Sequence, residues 1–165
     1  MDDSTIGIVT TLLLGASALG TAMVAGVFFA FSTFVMSGLD RAGTAHAVPA
    51  MQGINLAAVR PPLMLLLFGT LILLLTSAGA LMVDRGWSLV TGLAITAFLI
   101  YGAGVVVVTA SGNVPLNNRL ARSLDGGAAA AAWPAYAGPW TRLNHLRTVT
   151  AALSAGLMLV TLVLG

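Results

Sequence analysis

Four predominantly apolar stretches, at residues 6–36, 63–83, 87–109 and 141–164, constrain this chain more than any other feature. Each reaches the roughly 20 residues that a helix needs to cross a hydrocarbon core. In lipid a backbone must satisfy its own N–H and C=O groups, and runs this long lack the short alternation of barrel strands. The expectation is therefore an all-α integral membrane protein, a four-helix transmembrane bundle forming one domain over 1–165. Charged residues make up only 7% of the chain, against about 25% in soluble domains, so the solvent is lipid. The first stretch is too long for a signal-peptide core and follows the acidic Met1-Asp2-Asp3, which predicts a retained span.

The residues that are missing exclude whole chemistries. With no cysteine, thiolate nucleophiles, disulfide exchange, iron–sulfur clusters and zinc–thiolate sites are ruled out. Seven arginines stand against five aspartates, with neither lysine nor glutamate. No basic run exists, so nucleic acid is not an expected partner.

Arg41, Arg60, Arg119 and Arg122 fall between spans one and two or between spans three and four. Arg85 and the acidic N-terminus share the other side. The positive-inside rule then puts loops 1 and 3 in the cytoplasm and both termini outside, as a multi-pass protein of the cell membrane. Loop 1 should hold a short helix over about 48–59, with Pro49 in its first turn and Met51, Ile54 and Ala58 on one face. Arg60-Pro61-Pro62 should stop it and open the second span, because the residue before a proline is pushed away from helical angles. In loop 3, Asn113 is read as the cap of a short surface helix carrying a Leu116, Leu120 and Leu124 stripe. Asp125-Gly126-Gly127 and the alanines after it read as a linker. Ala18, Ala22, Gly26 and Ala30 form a small-residue stripe in the first span that would let another helix approach closely. That stripe predicts a first helix at the bundle centre, or an interface for a homo-oligomer.

The polar residues are one-sided. Gln52, Asn55, Arg60, Asn113, Asn117, Tyr136, Trp140, Asn144, His145 and Arg147 all fall at the end formed by loops 1 and 3. At 100° per residue, Thr141, Asn144 and Thr148 share a face of the fourth helix, with Arg147 and His145 on its shoulders and Arg142 further round. Arg142 is read as snorkelling towards lipid phosphate. Arg147 lies almost two turns into its span, where a charge faces the bundle interior or a cavity. All five carboxylates are terminal or in loops, so Arg147 is expected to bond asparagine amides, carbonyls or an anionic ligand. His145 reads either as a general base or as an interfacial histidine bonded to a carbonyl. His46 reads as a solvated loop residue, and with no ligand spacing around the two histidines neither haem nor copper is expected. Phe28, Phe29, Phe31 and Phe34 are spread round the first helix and read as core or lipid-facing packing rather than as a pocket.

Three segments, Met51-Gln52-Gly53-Ile54-Asn55, Asn113-Val114-Pro115-Leu116-Asn117-Asn118-Arg119-Leu120 and Trp140-Thr141-Arg142-Leu143-Asn144-His145-Leu146-Arg147, give the chain a resemblance to a family. It resembles the DUF1772 family of small membrane proteins, which includes the fungal anthrone oxygenases. The recognisable family positions, an asparagine in the NxPxN-type segment and the final W-x3-N-x2-R, fall on Asn117, Trp140, Asn144 and Arg147. The resemblance implies a cofactor-independent monooxygenase, an oxidoreductase that uses O2 as co-substrate on an activated carbon of a polycyclic phenol. In that picture His145 is the base, and Arg147, Asn144 and Asn117 stabilise the substrate enolate. Asn55, Gln52, Arg60, Asn113, Trp140 and Tyr136 would surround a hydrophobic aromatic molecule. The alternative is a non-catalytic membrane protein that binds a lipid or small molecule, or a transport subunit. Transport is disfavoured by the lack of an intramembrane carboxylate or an inverted repeat.

Overall fold

The computed structural model describes residues 3–123 and 126–165, with side chains described over 7–123 and 131–165. It is all helical among the described residues. Helix α1 (Asp3–Ala30) runs through a π-helical turn, Phe31–Val35, into α2 (Met36–Arg41). Helix α3 (Thr44–Ala58) lies across the end of the bundle, and α4 (Pro61–Arg85) returns through it. Helix α5 (Leu89–Tyr101) continues through two π segments, Gly102–Val107 and Thr109–Asn113, into α6 (Val114–Ala121). Helix α7 (Gly126–Leu164) completes the chain. Four helices, Gly7–Arg41, Pro61–Arg85, Leu89–Ala121 and Ala131–Leu164, are long and apolar enough to cross a membrane, and the fold is that of a multi-pass membrane protein.

The four spans form a ring. Helix α1 packs on α7 and α4, and α5 packs on the same two from the other side. The first helix is thus a corner and not the centre, and the small-residue stripe does not form its packing face. Ala18 is buried, but Ala22 and Gly26 are exposed. The buried face is Leu14, Ser17, Thr21, Val24 and Phe28, one position round from the stripe. Close approach occurs at other small residues: a Cβ on Gly20 of α1 would collide with Thr70 of α4, and one on Gly104 of the α5 extension with Thr150 of α7. Polar ties cross the core, Ser17 to Ser77 at 2.9 Å, Ser154 Oγ to the Ala97 carbonyl at 2.9 Å, and the Tyr101 hydroxyl to the Leu67 carbonyl at 3.0 Å.

At the quiet end, the chain turns from α4 into α5 over Gly86-Trp87-Ser88. Gly86 takes φ 61°, a left-handed angle that glycine adopts without strain, and Ser88 caps α5 by accepting from the Thr91 N–H. At the other end the helices run further than the apolar stretches. Arg60, extended at φ −77° and ψ 158°, separates α3 from α4 just where Pro61-Pro62 demands it. Helix α3 starts at Thr44, so Pro49 sits in its second turn rather than its first. Asn113 is no cap: it is helical, makes no capping bond, and the third span runs straight through it into α6. The alanine run is likewise the start of α7 rather than a linker. Leu124 and Asp125 lie outside the described residues.

Candidate functional site

The 39-residue α7, at about 1.5 Å per residue, is nearly twice as long as a hydrocarbon core of about 30 Å is thick. Arg147 stands 17 residues before its end at Leu164, roughly 26 Å along the axis. Measured from Leu164, the guanidinium therefore stands near the far end of a length of about 30 Å, at the end of the bundle where α3 and α6 pack on α7. It is only 5% exposed. Nη2 donates to Asn144 Oδ1 at 2.7 Å and Nη1 to Thr109 Oγ1 at 3.2 Å. Its central carbon lies 4.3 Å from the ring centroid of Phe28 and 5.2 Å from that of Trp140, so two aromatic faces meet the charge. Among the described residues the only ion pair is Asp84–Arg85, at the far end. Arg147 thus bonds an asparagine amide and a threonine hydroxyl, and among the described residues no carboxylate pairs with it.

Asn144 holds this arrangement rigid. It is fully buried, and its Nδ2 donates to the Phe28 carbonyl and to Ser32 Oγ, both at 2.7 Å. One amide thereby fixes α7 to the α1 extension and presents its oxygen to Arg147. Ser32 also bonds Thr148 one turn further along α7. The π turns assist: in each segment a following N–H reaches a carbonyl five residues back, Met36 to Phe31 and Val114 to Thr109. Such wide turns are a recurring local device at functional sites. Here they carry Phe31, Thr109 and Asn113 to the cavity wall.

A second network lies above the first. Asn117 Oδ1 accepts from both the Tyr136 hydroxyl and the Trp140 indole N–H at 2.9 Å. Asn55 Nδ2 approaches the same Tyr136 oxygen at 3.5 Å. Gln52 Nε2 donates to the Leu120 carbonyl at 2.8 Å, tying α3 to α6. Trp133, Tyr136 and Trp140 stack along α7 at centroid separations near 6 Å and are buried with Met36, Val48, Met51 and Leu120. The Trp133 indole N–H donates to Asp40 at 3.0 Å.

Between the two networks is an apolar cavity of about 110 Å³, walled by Phe28, Phe31, Met51, Ile54, Leu67 and Trp140, with Asn55, Thr109, Asn113, Asn117 and Arg147 as its polar points. A comparable apolar cavity of about 150 Å³ holds a benzene ring. The enclosed space therefore fits about one ring of a larger molecule. Its mouth, at Asn55, Val59, Val114 and Asn117, continues into an open groove between α3 and α6 of about 440 Å³.

The structure thus brings together Arg147, Asn144, Asn117, Asn113, Asn55, Tyr136 and Trp140. Gln52 stands in the groove rather than the cavity. Arg60 does not join them: it is exposed at the α3–α4 turn. His145 does not join them either. It is exposed and outside the cavity wall, because its shoulder of α7 turns away from the helices that cover Arg147. His46 is exposed on α3. Phe28 and Phe31 line the cavity while Phe29 and Phe34 are exposed, which corrects the packing-only reading for the first two. Thr109 and Ser32 were unanticipated. Thr109 had a signal, since it lies one turn before Asn113 on the same strongly apolar span.

A family model described as anthrone oxygenase matches residues 57–157, more than half of the chain. The matched stretch holds Thr109, Asn113, Asn117, Tyr136, Trp140, Asn144 and Arg147, and begins after the Met51–Asn55 segment. No curated protein and no solved structure matches the chain. With that match over the segment that carries the buried arginine and its amides, the chain belongs to the anthrone oxygenase family.

Proposed function

We propose that the protein is a membrane-embedded oxygenase that oxidises an activated carbon of a polycyclic phenolic substrate with O2, without a cofactor. The observation that carries this reading is Arg147, a buried cation facing an apolar cavity with two aromatic faces and, among the described residues, no carboxylate partner. A ligand that develops negative charge is what such a site stabilises, since preorganised donors in a dry site act most strongly where charge appears. An anthrone-type carbon acid fits: loss of its proton spreads charge onto the ring oxygen, where Arg147 and the Asn144-anchored network meet it. The carbanion passes an electron to O2, and recombination forms a carbon–oxygen bond. Cleavage of the resulting O–O bond leaves a carbonyl on the carbon and releases the second oxygen as water. The four electrons that reduce O2 come from the two C–H bonds of the reacting CH2. The first proton leaves before O2 adds, the second leaves as the O–O bond breaks, and two protons end in the released water, so CH2 and O2 give C=O and H2O and the balance closes without a metal or flavin.

The proton goes to solvent or hydroxide at the α3–α6 mouth rather than to His145, whose exposed position leaves the substrate's own acidity as the driving term. Asn117 acts through Tyr136 and Trp140, holding the aromatic wall, and is a positioning residue. The positive-inside rule, applied to Arg41, Arg60, Arg119 and Arg122, supports a cytoplasmic mouth.

Oxygen uptake by the purified protein with an anthrone under air tests the reading. Anthrone-dependent uptake lost in Arg147→Leu is expected. Binding of the aromatic with no uptake would favour the non-catalytic alternative.

A further inference from the structure

Two buried side-chain atoms at this site have no hydrogen-bond partner, Arg147 Nε and Asn113 Oδ1, and among the described residues they are the only two. Both residues line the same cavity. Asn113 is 1% exposed, on a π turn that carries it into the wall instead of capping a helix. Its Nδ2 donates to the Trp140 carbonyl at 3.3 Å. A carbonyl can take only a donor, so this bond settles which end of the amide is which, and the free end is the acceptor. Buried polar groups are nearly always paired, and a complementary pair left open at one cavity calls for explanation.

The two open atoms ask for different things. Arg147 Nε–H requires an acceptor, and Asn113 Oδ1 requires a donor. A carboxylate or ketone supplies only the first, and its lone pairs would repel Asn113. An ammonium supplies only the second and would be repelled by Arg147. A neutral hydroxyl answers both, accepting through a lone pair and donating its proton. We propose that Asn113 is a specificity residue that, with Arg147 Nε, selects aromatic ligands bearing a free hydroxyl. This rests on reading the cavity as the ligand site. It goes beyond that reading in assigning Asn113 an acceptor role and in requiring the hydroxyl to keep its proton on binding. Sites built to bond a hydroxyl reject analogues that lack it, because the buried partner is then left open.

The test uses purified full-length protein in detergent and three probes. 1-Naphthol carries the hydroxyl, 1-fluoronaphthalene replaces it with an atom of similar size that cannot donate, and 1-naphthoate is an anion that cannot donate. Wild type is expected to bind 1-naphthol about 10-fold more tightly than 1-fluoronaphthalene. In Asn113→Leu this preference should shrink to within about twofold. Should that variant not fold, the wild-type pair decides alone. Equal wild-type affinity for the naphthol and its fluoro analogue overturns the proposal, as does a preference that survives in Asn113→Leu. Loss of 1-naphthoate binding in Arg147→Gln would leave the anion-stabilising site standing in either case. Naphthoate binding that ignores Arg147→Gln would instead remove the underlying reading.

Discussion

Replacing Arg147 with leucine separates a functional arginine from a structural one, because the stability terms partly offset one another while the catalytic term has no offset. The change removes the bonds to Asn144 and Thr109, each worth about 0.6–2 kcal/mol between membrane helices. It also removes the contacts with Phe28 and Trp140, about 0.5–2 kcal/mol each, and leaves Asn144 Oδ1 open. Against this, the chain no longer holds a buried charge without a counter-ion, a cost of at most about 2.5–3.5 kcal/mol, the mid-membrane figure, and no longer buries an unpartnered Nε. The net change in stability should be a loss of about 1–4 kcal/mol. The loss of charge stabilisation during reaction should be about 3–4 kcal/mol, or 10²–10³ in rate. Oxygen uptake with an anthrone, set beside thermal unfolding in the same detergent, gives both numbers. A fall in melting temperature that accounts for the whole loss of rate would refute the argument and make Arg147 a structural tie.

Four further outcomes follow from named contacts. Asn117→Leu strips the acceptor from both Tyr136 and Trp140, at about 1–3 kcal/mol for each buried donor left open, and Asn117→Asp should recover most of the melting temperature. Gly104→Ala drives a methyl into Thr150 and should cost about 1–3 kcal/mol in unfolding experiments; a neutral result would show that the two helices are not held so close. His145→Gln should keep turnover within about twofold of wild type, since an exposed side chain outside the cavity cannot supply the factor of about 10²–10⁴ expected of a general base. A loss of that size would reinstate it. Cysteines at Ser123 and Trp87 should react with an impermeant reagent from the cytoplasmic and outer sides respectively, and the reverse pattern would invert the proposed orientation.

Hydropathy made the four spans legible and one-sided polarity located the site, but neither could show where the helices end. An apolar stretch marks the extent of lipid. The helix carries on wherever the next residues accept helical angles, as Val114–Ala121 and the alanines before Trp133 do. Asn113 reads as a cap because asparagine favours that position, and what decides otherwise is tertiary: the Trp140 carbonyl across the helix interface accepts from its amide. A helical wheel places Arg147 and His145 on opposite shoulders of α7, yet cannot say which shoulder the other helices cover. Only the packing of α1, α3 and α5 around Arg147 decides it. The same limit hid Phe28 and Phe31, the first in the last turn of α1 and the second opening the π turn.

The cavity wall draws on nearly every helix: Phe28 from α1, Met51 and Ile54 from α3, Leu67 from α4, Thr109 and Asn113 from the extension of α5, Asn117 from α6, and Trp140 and Arg147 from α7. No partial assembly of the bundle contains a binding site, so a bound molecule behaves as one more packing element shared by all of them. Affinity for the folded bundle alone adds RT ln(1 + [L]/Kd) to its stability, about 2.7 kcal/mol at a hundredfold excess over Kd. The whole unfolding transition should then move as one step, and a library of aromatics can be ranked by melting temperature before any turnover is measured. A molecule held only on an outer face would stiffen the helices it touches and leave the rest to melt as before.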